Sequence, residues 1–330
     1  TVTNINKSEK EVTVNDKGIS DAVEKVYDSV VVVETYKSKQ QVSSGTGFVY
    51  KKDNDKAYIL TNNHVVDGGD EVYAVFTNNK QVSTKIVGKD EYADIAVLEV
   101  NSNEVISVAE LGSSENTKLG DTVFAVGAPL DNAYSWTVTR GILSGKDRMV
   151  EVSLSNSSSS DWIMKVIQTD AAINSGNSGG PLANSNGEVI GITSMKLVSS
   201  GVEGMGFAIP IEDALDYANK IVSGTKTIRP LLGVSMIDSN DLYSLYSNGV
   251  SVSSKTKGVV VASVQNDSAA DKAGLQKGDI ITKLGDNDIT SIAELRYYLY
   301  KYNVGDTVEL KYVRNDKENT VKVKLTASES

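Results

Sequence analysis

Short apolar stretches rich in Val, Ile, Thr and Tyr recur along the first two thirds of the chain, separated by clusters of Gly, Asn, Asp and Ser. They occupy residues 44–50, 56–66, 71–77, 83–90, 93–100, 121–129, 136–145, 164–173, 188–195 and 205–211. Closely spaced short strands with turn signals between them are typical of a sandwich or barrel, not of alternating β-α-β units. A sizeable helical pattern follows only at 211–224, where Gly224 is a suitable helix stop.

The pattern divides the chain into two domains. Residues 1–20 are polar and are interpreted as a tail or tether, residues 21–224 as the β-rich domain and residues 225–230 as a linker. Residues 231–330 have the pattern of a compact α+β domain, with a helix predicted at 291–302 and two closing strands after it. The fold class predicted is therefore mainly β, followed by a smaller α+β domain.

Composition restricts the chemistry. The 330 residues include no Cys and one His, which excludes disulfides, thiolate nucleophiles, Fe–S clusters and multi-histidine metal centres. The formal charge of −10 argues against general nucleic-acid binding, which needs Lys and Arg to neutralise phosphates. No metal and no other cofactor are expected. If an imidazole takes part in catalysis, it belongs to His64.

The N-terminal end bears on the relation to a membrane. The chain starts at Thr1 rather than Met, which is typical of a processed or excised fragment. It has no apolar run of about 18 residues, the length that a membrane span requires. Membrane contact is therefore expected only through an N-terminal segment that is absent from this sequence.

The sharpest local signal is the segment INSGNSGGPL at residues 173–182. Ser178 lies there among glycines, which allow unusual backbone dihedrals and close approach of a substrate. A turn of this kind can aim two backbone N–H groups at one point, where they stabilise a developing oxyanion. The alternative is a plain Gly/Ser turn between strands. The segment also satisfies the G-x-S-x-G pattern of α/β-hydrolases, but those enzymes need a His after the Ser, and none follows residue 64.

His64 and a carboxylate are the candidate partners of this serine. Both the order His-Asp-Ser and the order Asp-His-Ser are compatible with the chain. Asp94 begins an apolar run, where its carboxylate would need a partner such as the Nδ1–H of His64. Asp53 and Asp55 are poorer candidates because they lie in a polar hairpin tip. On their own, His64 and Asp94 would be read as an ordinary histidine and a turn aspartate.

Taken together, the motifs resemble the HtrA/Deg family of serine proteases. The matching pieces are, in order, SGTGFVY, ILTNNHVV, DIAVLEV, QTDAAINSGNSGGPL, EVIGITSM and GFAIP, followed by LLGVSM, AGLQKGDIIT and GDTVELKYVR in a segment that looks like a PDZ domain. Asp94 follows His64 by 30 residues, and Ser178 follows Asp94 by 84. The resemblance covers roughly residues 21–326.

The resemblance implies a chymotrypsin-like domain of two β-barrels, with the active site in the cleft between them. Carried over by position, His64 is the general base, Asp94 its orienting partner and Ser178 the nucleophile. The backbone N–H groups of Gly176 and Ser178 would form the oxyanion hole.

The resemblance also implies a substrate pocket and a regulatory loop. Ile173, Ile192 and Thr193 would form a small, apolar pocket for side chains such as Val or Ala, and the Thr193–Ser194 strand would pair with the substrate backbone. Residues 145–162 match the family's regulatory loop region. Arg148 there matches an arginine that helps order the active site, although it could equally be a plain surface residue.

The second domain has the features expected of a peptide-binding PDZ fold. Its peptide-binding residues are predicted to be a carboxylate-binding loop at Leu232, Gly233 and Val234 and a helix face at Ile292, Leu295 and Leu299. Backbone N–H groups of the loop would hold a peptide C-terminus while the peptide adds a strand. Helical spacing does not separate this interpretation from one in which the three helix residues are plain core residues.

The function implied is that of an ATP-independent serine endopeptidase of protein quality control and stress response, outside the cytoplasm. Its partners would be unfolded proteins, peptides with free C-termini and copies of the same chain in a homotrimer or larger assembly. A different class of function is a peptide-binding or holdase chaperone whose protease activity is latent. A pure PDZ scaffold would leave two thirds of the chain unexplained.

Overall fold

The computed structural model describes residues 18–127, 136–152, 162–174, 176–197, 204–225, 228–252 and 255–327. Most of the predicted tail at 1–20 therefore lies outside the described residues, as does the end of the predicted strand at 121–129.

The first part of the chain forms an antiparallel sheet of seven strands within the described residues, in the order β5-β4-β1-β2-β3-β7-β6. The strands are β1 Val30–Lys37, β2 Gln40–Lys52, β3 Lys56–Thr61, β4 Glu71–Val75, β5 Gln81–Ser83, β6 Lys85–Asp90 and β7 Ile95–Asn101. Burial along β3 and β7 is nearly continuous, because both faces of these central strands are covered.

A second sheet follows, with the order β12-β9-β10-β11-β14-β13-β8 in the described part of the chain. Its strands are β8 Glu110–Leu111, β9 Thr122–Gly127, β10 Thr137–Val152, β11 Trp162–Thr169, β12 Pro181–Asn184, β13 Glu188–Thr193 and β14 Gly206–Pro210. Pairing of β12 with β13 closes this sheet into a barrel.

Helices connect and cover the two sheets: α1 Ser20–Tyr27, α2 Asn63–Val66 and α3 Ile211–Val222. Helix α3 has two carboxylates in its first turn and Lys220 in its last, which complements the helix dipole. The predicted helix stop is confirmed, since Gly224 follows α3 with a left-handed φ of +70°. Short 3-10 turns form at Ser102–Glu104 and Met195–Leu197.

The second domain is an α+β unit around a sheet in the order β16-β17-β18-β20-β21, with β19 paired to β18. Its elements are β15 Pro230–Leu231, β16 Val234–Asp238, α4 Leu242–Ser247, β17 Val259–Val264, α5 Ala269–Lys272, β18 Ile280–Leu284, β19 Asn287–Asp288, α6 Ile292–Leu299, β20 Thr307–Arg314, β21 Lys317–Lys324 and β22 Thr326–Ala327. The pairing of β15 with β22 joins the two ends of the domain.

The two domains meet where α6 packs against β11. Tyr300, at the end of α6, lies with its ring centroid 5.5 Å from that of Tyr92 and 5.2 Å from that of Trp162. Arg229, just before the second domain, donates to both carboxylate oxygens of Asp90 at 2.8 Å. The interface therefore combines aromatic packing with a largely buried ion pair.

The predicted fold class is confirmed: the protein is mainly β, with a double-sheet domain followed by an α+β domain. Helix α4 was not predicted. Its sequence LYSLYS lies among Asn, Ser and Asp residues that resemble a loop, but the Asp241 side chain accepts a hydrogen bond from the Ser244 N–H and caps the helix.

Candidate active site

His64 lies on α2 rather than on the strand that the apolar run predicted. Strand β3 ends at Thr61, and the next residues turn into a single helical turn that places His64 at the edge of the first sheet. The buried Thr61 hydroxyl donates to the Thr46 carbonyl on β2, which holds the end of the strand. The His64 side chain is 29% exposed, so one part of the ring is accessible while the other faces the protein.

Asp94 occupies the turn between β6 and β7 and is almost completely buried. Its backbone has a left-handed φ of +53°, a conformation that Asp tolerates better than most residues. The carboxylate accepts hydrogen bonds from the backbone N–H of His64 at 3.0 Å and from the Ser194 hydroxyl at 3.0 Å. The Nδ1 atom of His64 lies 2.8 and 3.0 Å from its two oxygens.

This contact determines which ring nitrogen is available for chemistry. With Nδ1 donating to the buried carboxylate of Asp94, the tautomer that leaves Nε2 as the acceptor is favoured. Asp53 and Asp55 lie at the exposed β2–β3 hairpin tip, and no hydrogen bond joins either carboxylate to His64. The structure therefore brings Asp94, and not the hairpin aspartates, to the histidine.

Ser178 lies in the turn before β12, on the second sheet and opposite His64 and Asp94 across the junction of the sheets. Gly179 is required here, since its φ is +86° and a Cβ atom would lie 2.2 Å from the Thr46 carbonyl oxygen. The Thr46 N–H donates to the Ser178 carbonyl at 2.9 Å, so strand β2 holds the turn from the first sheet.

The two amides predicted for the oxyanion hole are the Gly176 N–H and the Ser178 N–H. Neither donates a hydrogen bond to an acceptor within the described residues. Gly176 has a φ of +103°, which glycine adopts without strain. Ser175, which precedes it, lies outside the described residues. The oxyanion hole stays a prediction.

The nucleophile is engaged by another part of the chain. The Ser178 Oγ accepts a hydrogen bond from the Met195 N–H at 2.9 Å, and no described hydrogen bond joins it to His64. Strand β13 ends at Thr193 and a 3-10 turn begins at Met195, so pairing of the Thr193–Ser194 segment with the substrate backbone stays a prediction. Serine–histidine contacts are often loose without substrate.

Two of the three predicted pocket residues face elsewhere. Ile173 is nearly buried in an apolar cluster against which Met195 packs, close to Ser178. Ile192 is completely buried in a different cluster that includes Phe48, so its prediction as a pocket wall is wrong. Thr193 is also completely buried and was wrongly predicted to line the pocket; its hydroxyl lies 2.6 Å from the Asn177 carbonyl oxygen. Neighbouring residues of β13 point to opposite faces, and both faces are covered here, one by the apolar cluster and the other by the Ser178 turn.

Arg148 lies on a strand, not in a loop. Strand β10 continues to Val152 and pairs with β11, so most of the predicted loop at 145–162 is β-structure or lies outside the described residues. The Arg148 side chain is exposed, and its Nε donates to the Gln168 side chain at 3.2 Å. It makes no described contact with the Ser178 turn, and its regulatory role stays a prediction.

Sequence reasoning missed three contributors to the site. Ser194 donates to Asp94, Thr46 holds the Ser178 turn, and Met195 contacts the nucleophile. All three lie in two segments already singled out, SGTGFVY and EVIGITSM, but neither segment indicates which atoms its residues would contact.

The second domain carries a cavity of about 360 Å³ beside β16, and carboxylate binding there stays a prediction. Leu232, Gly233 and Val234 all line it. Gly233 has a φ of +78°, and a Cβ atom there would lie 2.3 Å from the Ser268 Cβ. The Leu232 carbonyl is held by the Ala270 N–H at 2.8 Å, which turns the Gly233 N–H to the opposite side of the peptide plane.

The helix side of this groove differs from the prediction. Leu299 lines it as predicted, together with Arg296 and with Tyr300. Leu295 is completely buried in the domain core, so its prediction as a groove residue is wrong. Ile292 is half-buried against the same core and is not among the residues that line the cavity. On a helix with 3.6 residues per turn, positions 295 and 296 face different ways, and only packing decides which is inside.

The described helices include none with the length and apolar character of a bilayer-spanning segment; the longest, α3, has 12 residues.

Two family profiles match the chain. Residues 45–192 match the trypsin-like peptidase domain, and residues 230–325 match the PDZ domain. The first match covers His64, Asp94 and Ser178, and the second covers the groove.

Relatives match along most of the chain. The serine protease Do-like HtrA of Bacillus subtilis is 46% identical over 290 residues, which are 87% of this chain and 64% of that protein. The serine protease Do-like HtrA of Lactococcus lactis subsp. lactis is 40% identical over 342 residues, covering 94% of this chain and 83% of that protein. The chain thus spans less than two thirds of the length of the Bacillus relative.

Solved structures agree with these matches. A serine endoprotease from Yersinia pestis has a TM-score of 0.69 and 28% identity, covering 94% of this chain and 98% of that one. An HtrA-type protease, AlgW, solved with a decapeptide, has a TM-score of 0.70 and 27% identity, covering 95% and 99%. From the relatives' identity and coverage together with these structures, the chain belongs to the HtrA/Do-like family of serine proteases.

Proposed function

We propose that the chain is a serine endopeptidase that uses His64, Asp94 and Ser178 as its catalytic triad. The observation that carries the proposal is the buried Asp94 carboxylate, which holds Nδ1 of the only histidine at 2.8 Å beside a glycine-flanked serine. Family membership and the peptide in the AlgW structure support the same activity.

The chemistry follows from these positions. Nε2 of His64 removes the proton of the Ser178 hydroxyl as Oγ attacks the carbonyl carbon of a peptide bond, and the imidazolium is stabilised by Asp94. The resulting oxyanion accepts hydrogen bonds from the N–H groups of Gly176 and Ser178. His64 then returns the proton to the leaving amine, and water hydrolyses the acyl-enzyme by the same sequence of steps.

Binding of a fluorophosphonate probe, followed by mass mapping, tests this assignment. We expect labelling at Ser178 alone, and Ser178→Ala should lose both labelling and cleavage of an unfolded protein such as casein by about 10⁴-fold or more. Cleavage that persists in Ser178→Ala would contradict the proposal. Ser29→Ala is the matched control, since it removes a buried hydroxyl that donates to the Val26 carbonyl at 2.6 Å, away from the triad, and it should keep both labelling and cleavage.

We also propose that the second domain binds peptides that end in a free carboxylate. The Gly233 N–H makes no described hydrogen bond and borders the groove between β16 and α6. A peptide would add a strand beside β16 and place its last side chain near Leu232 and Leu299. Unfolded proteins outside the cytoplasm are the substrates expected from the family, and a homotrimer or larger homo-oligomer is the assembly expected.

A chaperone with latent protease activity is the second candidate function. The observation that favours it is the hydrogen bond from the Met195 N–H to the Ser178 Oγ, which occupies the nucleophile in this state. The fluorophosphonate probe distinguishes the two functions. Labelling of Ser178 without added peptide indicates a protease that is active at rest. Absence of labelling with and without peptide, together with suppression of aggregation of an unfolded protein, indicates the chaperone.

A further inference from the structure

Three consecutive carbonyl oxygens of the Ser178 turn are held by buried groups from both sheets. The Thr46 hydroxyl donates to the Gly176 carbonyl at 2.6 Å, and the Thr46 N–H donates to the Ser178 carbonyl at 2.9 Å. Between them, the Asn177 carbonyl accepts from the Thr193 hydroxyl at 2.6 Å. Thr46 belongs to β2 of the first sheet and Thr193 ends β13 of the second, so the turn is fastened on both sides.

The contact at Asn177 bears directly on the candidate oxyanion hole. A trans peptide group is planar, so the N–H of one residue points opposite to the carbonyl of the residue before it. The described residues contain no cis peptide bond. Because the Asn177 carbonyl points inward to Thr193, the Ser178 N–H points away from the interior, and it donates no described hydrogen bond.

The Thr193 hydroxyl can be removed without loss of the other hydrogen bonds around the Ser178 turn. The Thr193 backbone is bonded independently: its N–H donates to the Gly180 carbonyl, and its carbonyl accepts from the Gly179 N–H. The Asn177 carbonyl also keeps a hydrogen bond from the Gly180 N–H at 2.9 Å. Loss of the hydroxyl therefore leaves no carbonyl unpaired and the strand intact, but it removes the shortest contact that holds the peptide plane between Asn177 and Ser178.

We propose that Thr193 is a positioning residue for catalysis: its buried hydroxyl holds the peptide plane that aims the Ser178 N–H at the oxyanion. This inference rests on the proposed protease function. The completely buried Thr193 hydroxyl makes no described hydrogen bond to the His64, Asp94 or Ser178 side chain, so it acts through the backbone of the Ser178 turn. It therefore contributes in the transition state, when the oxyanion forms, more than in the binding of the uncharged substrate.

The test compares Thr193→Val with Thr193→Ser in the full chain. Val has nearly the shape of Thr without the hydroxyl, whereas Ser keeps the hydroxyl without the methyl group. Removal of a whole oxyanion donor costs about 10²–10³ in kcat, and Thr193 only aims one. We expect Thr193→Val to lower kcat about 10- to 100-fold with KM within about twofold of wild type, and Thr193→Ser to recover most of the loss.

A transition-state analogue provides the second readout. Binding of a peptide trifluoromethyl ketone, which forms an oxyanion on Ser178, should weaken in Thr193→Val by about the same factor as kcat/KM. Thr117→Val is the matched control. Its hydroxyl is also buried and donates to a backbone carbonyl, that of Ser114 at 2.5 Å, at a place unconnected with the Ser178 turn. This control should leave kcat and analogue binding unchanged.

Several results would overturn the role of Thr193. These are a kcat of Thr193→Val within about twofold of wild type, an equal loss in Thr117→Val, a loss confined to KM, or no recovery in Thr193→Ser. If Thr193→Val does not fold, Thr193→Ala provides the same comparison with less bulk. An inert wild-type chain that is unlabelled by fluorophosphonate would refute the protease function, and this role with it. An active wild type with an equally active Thr193→Val would refute only the role of Thr193.

Discussion

The ion pair between Arg229 and Asp90 is expected to hold the two domains together. Arg229 stands directly before Pro230, the first residue of β15, and its carboxylate partner ends β6 of the protease domain. The guanidinium carbon lies 4.6 Å from the ring centroid of Tyr92 and 5.4 Å from that of Tyr300, so the charge is covered by an aromatic group from each domain. Arg229→Met would remove the charge and keep much of the apolar contact.

The size of the effect follows from burial. The side chains of Arg229 and Asp90 are 17% and 7% exposed, so removal of one partner leaves the other charge largely out of water. Breaking such a pair costs about 3–5 kcal/mol, and the partial exposure favours the lower end. About 3 kcal/mol corresponds to roughly a 150-fold weaker docking of the second domain.

Trp162 reports on the docking, because its ring centroid lies 5.2 Å from Tyr300 and 6.2 Å from Tyr297. The chain has two Trp residues, and a Trp136→Phe background leaves Trp162 as the single emitter. In this background, Arg229→Met should raise the acrylamide quenching of the native-state emission, since undocking of α6 exposes the indole.

Arg314→Met is the matched control for this measurement. Arg314 donates to both carboxylate oxygens of the buried Asp279 at 2.7 Å, in an ion pair that lies wholly within the second domain. It should lower the unfolding midpoint without changing the quenching in the native state. Equal quenching in wild type and Arg229→Met, or an equal increase in both variants, would refute the reasoning.

Four further outcomes are expected. Asp94→Asn should lower kcat by about 10⁴ with little change in KM, because it presents the wrong hydrogen-bond partner to His64; a loss below tenfold would contradict the triad. Gly233→Ala should weaken binding of carboxylate-ended peptides in fluorescence anisotropy, because its Cβ would meet Ser268 at 2.3 Å and distort the loop; unchanged affinity would argue against this groove. Met195→Ala should speed fluorophosphonate labelling about fivefold, since loss of apolar packing worth about 1 kcal/mol loosens the 3-10 turn; an unchanged rate would mean that this turn does not restrict the nucleophile. Burial raises the pKa of the Asp213 carboxyl, so as the pH falls the folded state binds this proton at a higher pH than the unfolded state does. Asp213→Asn should therefore raise the thermal midpoint at pH 7, and its advantage should shrink as pH falls through the raised pKa; a constant difference across that range would contradict the assignment.

Much of the site could be predicted because its chemistry depends on residue type and order. A single histidine upstream of the glycine-flanked serine excluded one hydrolase class and left two triad orders. Selection of Asp94 over Asp53 and Asp55 needed either family resemblance or coordinates. All three are carboxylates near strand ends, and only the fold brings the turn between β6 and β7 beside α2.

The errors share one cause. The family resemblance assigned Ile192, Thr193 and Leu295 to substrate or peptide surfaces, but each side chain is completely buried. Direction on a strand or helix changes from one residue to the next, so proximity in sequence does not indicate which face is open. The half-buried neighbour of Leu295, Arg296, lines the groove instead.

Local pattern was sufficient for the mainly β fold, the two-domain division and the choice of His64 and Ser178 as candidate catalytic residues. These features depend on apolar periodicity, turn residues and composition, all of which are local properties. The hydrogen bond from Met195 to Ser178, the reassignment of Thr193 and the pairing of Arg229 with Asp90 required the tertiary structure. Each joins residues from 16 to 139 positions apart, and only the packing of whole elements brings such atoms within hydrogen-bond distance.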